Sequence, residues 1–132
     1  MKKLHKWGLL VFLFLTVLLA GQLITSVSQA QEKYITPGEA ASHVGEVQTV
    51  CGEVGNIQIE TLQPILIKLY QQVNTKNFTI LINPSDRGKF TQPPLYSYLG
   101  KVICVTGMIK TYSNEPEIIL TDPSQITIVP SK

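Results

Sequence analysis

Residues 47–59 read VQTVCGEVGNIQI, and the spacing of their apolar side chains determines the fold class. Val50 and Val54 lie an even number of residues apart and belong to one face of an extended strand, whereas the two isoleucines after Gly55 have the opposite parity. A period of two that slips by one residue at a glycine is typical of a β-bulge or a sharp bend. The sequence therefore predicts a long first strand that bends to serve two sheets, as a small closed barrel requires.

Further strands follow this first one at regular spacing. Alternating apolar residues predict strands at 65–70, 78–82 and 101–112, then a fifth at 117–121 that resumes after a break at 126–129. Prolines between the third and fourth strands leave room for one helical turn and prevent a long helix. With roughly fifty strand residues and turn signals between them, an all-β barrel is favoured over a βαβ fold.

A short helix precedes the first strand. Thr36 is a suitable N-cap, Pro37 fits the first helical position, and Glu39 completes a capping box. Gly45 follows at the position where glycine commonly ends a helix. We therefore expect a helix of about two turns before the barrel begins.

The beginning of the chain has the layout of a secretory signal. A basic start is followed by an apolar run from Trp7 to Ala20, and Ser28 and Ala30 occupy the −3 and −1 positions of a cleavage site. We place the cut after Ala30. The alternative is an uncleaved anchor, because the apolar stretch up to Ile24 reaches the lower length limit of a membrane-spanning helix.

This reading divides the chain into a signal peptide at 1–30, a leader at 31–35 and a folded domain at 36–132. If the signal is cleaved, the domain is secreted or periplasmic in a bacterial cell envelope and has no stable membrane span. If it is not cleaved, the domain is anchored to the membrane. In both cases the domain lies outside the cytoplasm.

Removal of the signal changes the net charge. The full chain carries +2, but three of its lysines lie in residues 1–30, which leaves eight basic and nine acidic residues and a charge of about −1. A protein that binds phosphate backbones through charge needs several clustered Lys and Arg side chains. No such cluster occurs in this sequence, so strong nonspecific binding of nucleic acid is not expected.

Several stretches resemble a known family, the small and often secreted bacterial OB-fold proteins described as nucleic-acid-binding-like. The resemblance extends over residues 36–129 and implies a five-stranded OB-fold Greek-key barrel. It implies no activity, because the family's description refers to a fold. The stretches that carry it are EAASHVGEV at 39–47, TVCGEV at 49–54, VTGMI at 105–109 and PEIILTDPSQI at 116–126, with 78–82 and 86–90 matching the third strand and the link after it.

The two cysteines of the chain, Cys51 and Cys104, give the most specific local prediction in the sequence. In an OB barrel the first and fourth strands are antiparallel neighbours, and both cysteines face away from the apolar residues beside them. Directly opposed positions on such strands suit a disulfide, and exported chains meet oxidising conditions. The sequence thus favours a Cys51–Cys104 disulfide, with two free core thiols as the alternative.

No catalytic constellation can be assembled from the sequence. The chain has a single arginine, Arg87, and after the signal a single histidine, His43, while its acidic residues are scattered. Two cysteines and one histidine do not make a Cys/His zinc site, and no nucleophile with a base is evident. We therefore expect no enzyme activity, no cofactor and no metal.

The candidate site is therefore a binding face. OB-fold proteins usually bind ligands on the outer face of the second and third strands and on the flanking loops. Lys68 and Tyr70 point outward there, and Lys110 and Tyr112 lie near the loop after the fourth strand. The tyrosines are suited to stacking on bases or sugars beside the two cations, although an ordinary amphipathic surface has the same pattern. The sequence predicts a monomeric, exported, noncatalytic module for single-stranded nucleic acid, with a protein or carbohydrate partner as the alternative.

Overall fold

The computed structural model describes residues 33–71 and 74–132, and the predicted signal peptide lies outside the described residues. Within these ranges the strands are β1 Val47–Gln58, β2 Ile65–Gln71, β3 Asn74–Ile82, β4 Val102–Tyr112, β5 Glu115–Leu120 and β6 Ile126–Ile128. A short 3-10 helix precedes β1 at Pro37–His43, and further ones lie between strands at Pro84–Lys89, Leu95–Tyr98 and Pro123–Gln125. No helix in the described ranges is long and apolar enough to cross a membrane.

The strands close into a barrel. Neighbouring strands follow the order β1-β2-β3-β5-β4, and pairing of β1 with β4 completes the ring, while the short β6 adds to β4. The β3–β5 pair is parallel and the other pairs are antiparallel. The all-β, five-stranded OB-fold Greek-key barrel expected from the sequence is confirmed.

Gly55 forms the corner of the barrel. The first half of β1 pairs with β4 and its second half with β2, and the register shifts between Val54 and Asn56. The ring of Tyr70 lies directly over this glycine, so that an added Cβ would be 1.8 Å from two ring carbons. The bulge predicted from the slip in apolar spacing is confirmed, and the close approach of Tyr70 explains why a glycine stands there.

The inward side chains of the strands form one apolar core. Alternation of inward and outward residues holds along β2, β3 and β4, as the sequence predicts. Each large aliphatic or aromatic side chain in this core contributes roughly 1.5–3 kcal/mol by leaving water. The buried set includes Val50, Val54, Ile65, Ile67, Leu69, Phe78, Ile80, Ile82, Ile103, Val105, Ile109, Ile118 and Leu120.

The segment before β1 belongs to the barrel one residue earlier than the sequence indicates. Ile35, which falls in the predicted leader, is buried in the core. Its backbone N–H donates to the carbonyl of Thr49 (2.9 Å), and its carbonyl accepts from the N–H of Cys51 (3.0 Å). These bonds occupy an edge of β1, and they keep Ile35 in place.

The predicted N-terminal helix forms as a 3-10 helix. The Thr36 N–H donates to the Glu39 carboxylate (2.8 Å), which is half of the predicted capping box. Gly45 follows with φ +87° and ends the turn, as expected. The segment spans the seven residues Pro37–His43 and is therefore longer than most 3-10 helices, which rarely exceed about four residues.

Two strand boundaries differ from the predicted ones. Asn74, which falls between the strands predicted at 65–70 and 78–82, lies in β3 and pairs with Gln71, so the β2–β3 connection is shorter than expected. The β5 strand starts at Glu115 because Ser113 and Asn114, with φ of 49° and 63°, make the whole turn after β4. Paired positive φ values match the twist of the flanking strands, so that pairing resumes at once.

Candidate functional site

A row of polar side chains crosses the outer surface of β2, β3, β5 and β4. Lys68 is the register partner of Thr79, Thr79 is the partner of Glu117, and Glu117 is the partner of Lys110. Register partners share a face of the sheet, so these four side chains stand side by side. Tyr112 lies two residues after Lys110 and therefore projects to the same side. We call this surface the β2–β3 face.

Two grooves open on the β2–β3 face, with volumes of about 320 Å³ and about 300 Å³. Leu66, Leu81 and Tyr112 line both of them. The first groove continues toward the β1–β2 loop along Glu60 and Gln63. The second, which we call the polar groove, continues over Lys68, Thr79, Ser113, Glu115 and Glu117.

Tyr112 is the most exposed aromatic side chain on this face, with 70% of its surface accessible. It is the last residue of β4, just before the tight turn at Ser113 and Asn114. A rigid ring at the end of a strand, beside the apolar walls of Leu66 and Leu81, is suited to stacking on a planar ligand.

The charges on the β2–β3 face are balanced. The Lys68 ammonium lies 3.6 Å from the Glu115 carboxylate, and Lys110 attracts Glu117 electrostatically. Burial raises the pKa of the Glu117 carboxyl above its ordinary value of 4.5, and the nearby Lys110 opposes this rise. Two lysines facing two glutamates make a polar surface without a strong positive potential.

Thr79 is an unsatisfied group at the centre of this face. Its side-chain oxygen is fully buried and has no hydrogen-bond partner among the residues that the structure describes. Buried hydroxyls normally have a partner, and the lack of one costs free energy. The hydroxyl of Thr79 therefore carries the free-energy cost of a hydrogen bond that is not made.

The structure brings three of the four predicted ligand-binding residues together on the β2–β3 face. Lys68 and Tyr112 line the polar groove, and Lys110 stands beside Glu117 in the adjoining strand. Tyr70 is 39% exposed and lies over Gly55, outside both grooves. The sequence offers no sign of this packing, because it depends on the register between β1 and β2.

Cys51 and Cys104 form the predicted disulfide. They are register partners in the β1–β4 pair, with Cα atoms 4.1 Å apart, so the prediction is confirmed. The bond lies on the outer surface of β1 and β4, in a third groove of about 540 Å³. Lys33, Tyr34 and Thr127 are among the other residues that line this groove.

The remaining candidate groups have structural partners. The Arg87 guanidinium donates to the carbonyls of Glu60 (2.7 Å) and Gln63 (3.3 Å), which ties the Pro84–Lys89 helix to the β1–β2 loop. The His43 imidazole lies 2.6 Å from the Glu46 carboxylate. Across residues 33–71 and 74–132 no group of three or more His, Cys, Asp or Glu side chains is placed to hold a metal ion.

Similarity to known proteins is visible in structure and not in sequence. No protein-family model matches the chain, and no curated protein matches its sequence. Solved structures do share its fold, at identities that are too low to indicate a common function.

Three of these structures illustrate the match. An OBody, AM1L10, solved bound to hen egg-white lysozyme, is 16% identical with a TM-score of 0.57, and the match covers 79% of this chain and 100% of the OBody. The Stn1–Ten1 complex of S. pombe gives 11% identity and a TM-score of 0.57, over 77% of this chain and 81% of the matched one. A putative aspartyl-tRNA synthetase from Leishmania major Friedlin is 10% identical with a TM-score of 0.54, and the match covers 83% of this chain but only 23% of the synthetase.

Proposed function

We propose that this protein is an exported, noncatalytic OB-fold module that binds single-stranded nucleic acid on the β2–β3 face. The observation that carries the proposal is the highly exposed ring of Tyr112, which borders both apolar-walled grooves. Every base has a π face, so an exposed ring in a groove binds single strands with little regard to sequence. Stacking of this kind contributes about 1–3 kcal/mol per base.

The two lysines of the face supply the contacts to phosphate. Lys68 is paired with Glu115 at 3.6 Å, and Glu115 is exposed to solvent. An ion pair of this kind contributes only about 0–1 kcal/mol, so a phosphate can take the place of the carboxylate. Lys110 lies on the same face beyond Glu117. Stacking, with two cations at its side, therefore carries most of the affinity.

Export is supported by the covalent bond between β1 and β4. Structural disulfides persist in oxidising compartments and are rare in a reducing cytosol. The Cys51–Cys104 bond agrees with the secretory signal that residues 1–30 predict. The mass of the protein recovered from the cell envelope tests both points, because cleavage removes the signal and reduction of the bond adds two hydrogens.

Binding of a labelled, mixed-sequence DNA 15-mer, followed by fluorescence anisotropy at low salt, tests the proposed function. We expect Tyr112→Ala to weaken binding about 5- to 150-fold, which corresponds to the loss of one stacked base. Tyr96→Ala is the matched control, since Tyr96 is also a well-exposed tyrosine (61%) but lines neither groove. Absence of binding by the unmodified protein would exclude nucleic acid and leave a protein or carbohydrate partner as the alternative.

A further inference from the structure

The Cys51–Cys104 disulfide lies in the third groove, on the outer surface of the barrel. This groove of about 540 Å³ is separate from the β2–β3 face, and both cysteines line it. Both residues are half-buried, and neither belongs to the apolar core. Exposed disulfides are the ones that exchange with thiols, because a thiolate has to reach one of the sulfurs. The groove gives a small molecule this access.

The groove extends past both cysteines, but its two ends differ. On the side of β4 that faces away from β1, Thr127 is the register partner of Cys104. On the opposite side the segment before β1 adjoins this strand, since the Cys51 N–H donates to the carbonyl of Ile35 (3.0 Å). Tyr34 belongs to that segment and lines the groove there. A threonine side chain is much smaller than a tyrosine ring, so the approach to Cys104 is the more open one.

The backbone hydrogen bonds between β1 and β4 lie beside the cysteine pair and not within it. The Cys51 N–H points toward Ile35, so Cys51 and Cys104 form a non-hydrogen-bonded pair, with Cα atoms 4.1 Å apart. Seven register pairs join Val47–Glu53 to Val102–Met108. The two strands can therefore stay paired while the bond between the sulfurs opens and closes.

We propose that Cys104 is a thiol–disulfide exchange site at which the folded protein takes up a small-molecule thiol. The thiol first loses its proton to the solvent. Its sulfur then forms a bond to the Cys104 Sγ, the Sγ–Sγ bond breaks, and the electron pair leaves on the Cys51 sulfur, which takes a proton from water. One disulfide replaces another, so no oxidant is consumed. Attack by the Cys51 thiolate on the Cys104 sulfur restores the original bond and releases the thiol.

The rate of exchange shows whether the folded protein reacts. The full chain is mixed with 2-mercaptoethanol at about pH 8, free thiols are alkylated at intervals, and mass spectrometry counts the products. We expect the rate in native buffer to lie within about tenfold of the rate for the chain unfolded in about 8 M urea. Attack through global unfolding would instead be slower by a factor of about 10³ or more, and about 1 M urea would raise its rate about fivefold or more. Either of these two results overturns the proposal.

Peptide mapping of the alkylated products identifies the sulfur that is attacked. We expect the added thiol on Cys104 and the alkyl group on Cys51. Thr127→Tyr should slow the exchange about fivefold or more, because the ring fills the approach to Cys104. Thr111→Tyr is the matched control, since Thr111 is also an exposed strand residue but lines none of the three grooves. If Thr127→Tyr does not fold, Tyr34→Ala provides a second test, because it opens the approach to Cys51 and should move part of the added thiol there.

The outcomes do not depend on whether the protein binds nucleic acid. A bond that reacts only through unfolding overturns the exchange site and leaves the proposed function standing. Addition of the thiol to Cys51 in the unmodified protein, or equal slowing by Thr127→Tyr and Thr111→Tyr, overturns the assignment to Cys104.

Discussion

Gly55, which lies against the Tyr70 ring, leaves less room for an added Cβ than any other described glycine. We expect Gly55→Ala to destabilise the protein by about 1–3 kcal/mol, because the new methyl group would overlap the Tyr70 ring and force the corner open. Urea unfolding measures the change. Gly88→Ala is the matched control, since a Cβ there meets nothing within 4 Å, and we expect a change within about 0.5 kcal/mol.

A double-mutant cycle isolates this contact. If overlap with the Tyr70 ring causes the destabilisation, Gly55→Ala should destabilise a Tyr70→Ala protein much less than the unmodified protein. The coupling energy between the two changes would then be about 1 kcal/mol or more. Additive effects of the two changes would contradict a packing role for Tyr70.

Burial of Glu117 makes stability depend on pH in a specific direction. Its pKa is raised above the ordinary 4.5 in the folded protein, so the folded state holds this proton more tightly than the unfolded state does. The contribution of Glu117 to stability is therefore complete below pH 4.5 and is lost as the pH rises through the folded pKa. We expect Glu117→Gln to be more stable than the unmodified protein at pH 7 and to lose this advantage near pH 4.

Unfolding free energies across this pH range, measured with Glu115→Gln as a control at an exposed neighbour, test the expectation. A Glu117→Gln protein that is less stable at pH 7 would mean that the attraction of Lys110 outweighs the cost of burial.

The β1–β4 pair is the one element pair in the described chain that a covalent bond holds together. The Cys51–Cys104 bond spans 53 residues of sequence, and a loop of that length corresponds to about 4 kcal/mol in the chain-entropy model. We expect reduction, or the double change Cys51→Ser with Cys104→Ser, to lower the free energy of unfolding by an amount of this order. An unchanged urea midpoint on reduction would show that the strand pairing is sufficient without the bond.

Sequence periodicity predicts the elements better than it predicts the site. Local alternation gives the strands, and the slip at Gly55 gives the bend, because both follow from the fixed period of a strand. The disulfide was predictable once the fold fixed β1 and β4 as neighbours. The predicted helix appears as a 3-10 turn, and β5 begins earlier than expected, because turn geometry decides where pairing resumes.

The polar groove could not be derived in the same way. Thr79 and Glu117 lie 38 positions apart in the sequence and become neighbours only through the parallel β3–β5 pair. No local pattern sets the register of two strands that are so distant, and the lack of a partner for the Thr79 hydroxyl is a property of the packed sheet. Outward alternation at Lys68, Lys110 and Tyr112 was the available signal, and these three residues do share a face.

For the whole molecule, the balance of charges sets how binding should respond to salt. Lys68 and Lys110 stand as cations on the β2–β3 face, and each contact to single-stranded phosphate contributes about −0.7 to the slope of log K against log salt. We expect a slope of about −1.4 or shallower, or about a sevenfold loss of affinity between 50 and 200 mM salt. A slope beyond about −3 would require contacts to cations in addition to Lys68 and Lys110.

Two small grooves share the residues Leu66, Leu81 and Tyr112. This overlap also limits the number of nucleotides that the face can contact at once. A compact patch of this kind corresponds to the lower end of OB-fold occupancy, about four nucleotides. A 15-mer then offers about twelve overlapping positions and should outcompete a tetramer by roughly that statistical factor. A longer strand would offer more binding positions without adding contacts to each bound protein. The protein would therefore bind short segments and would not cover long strands cooperatively.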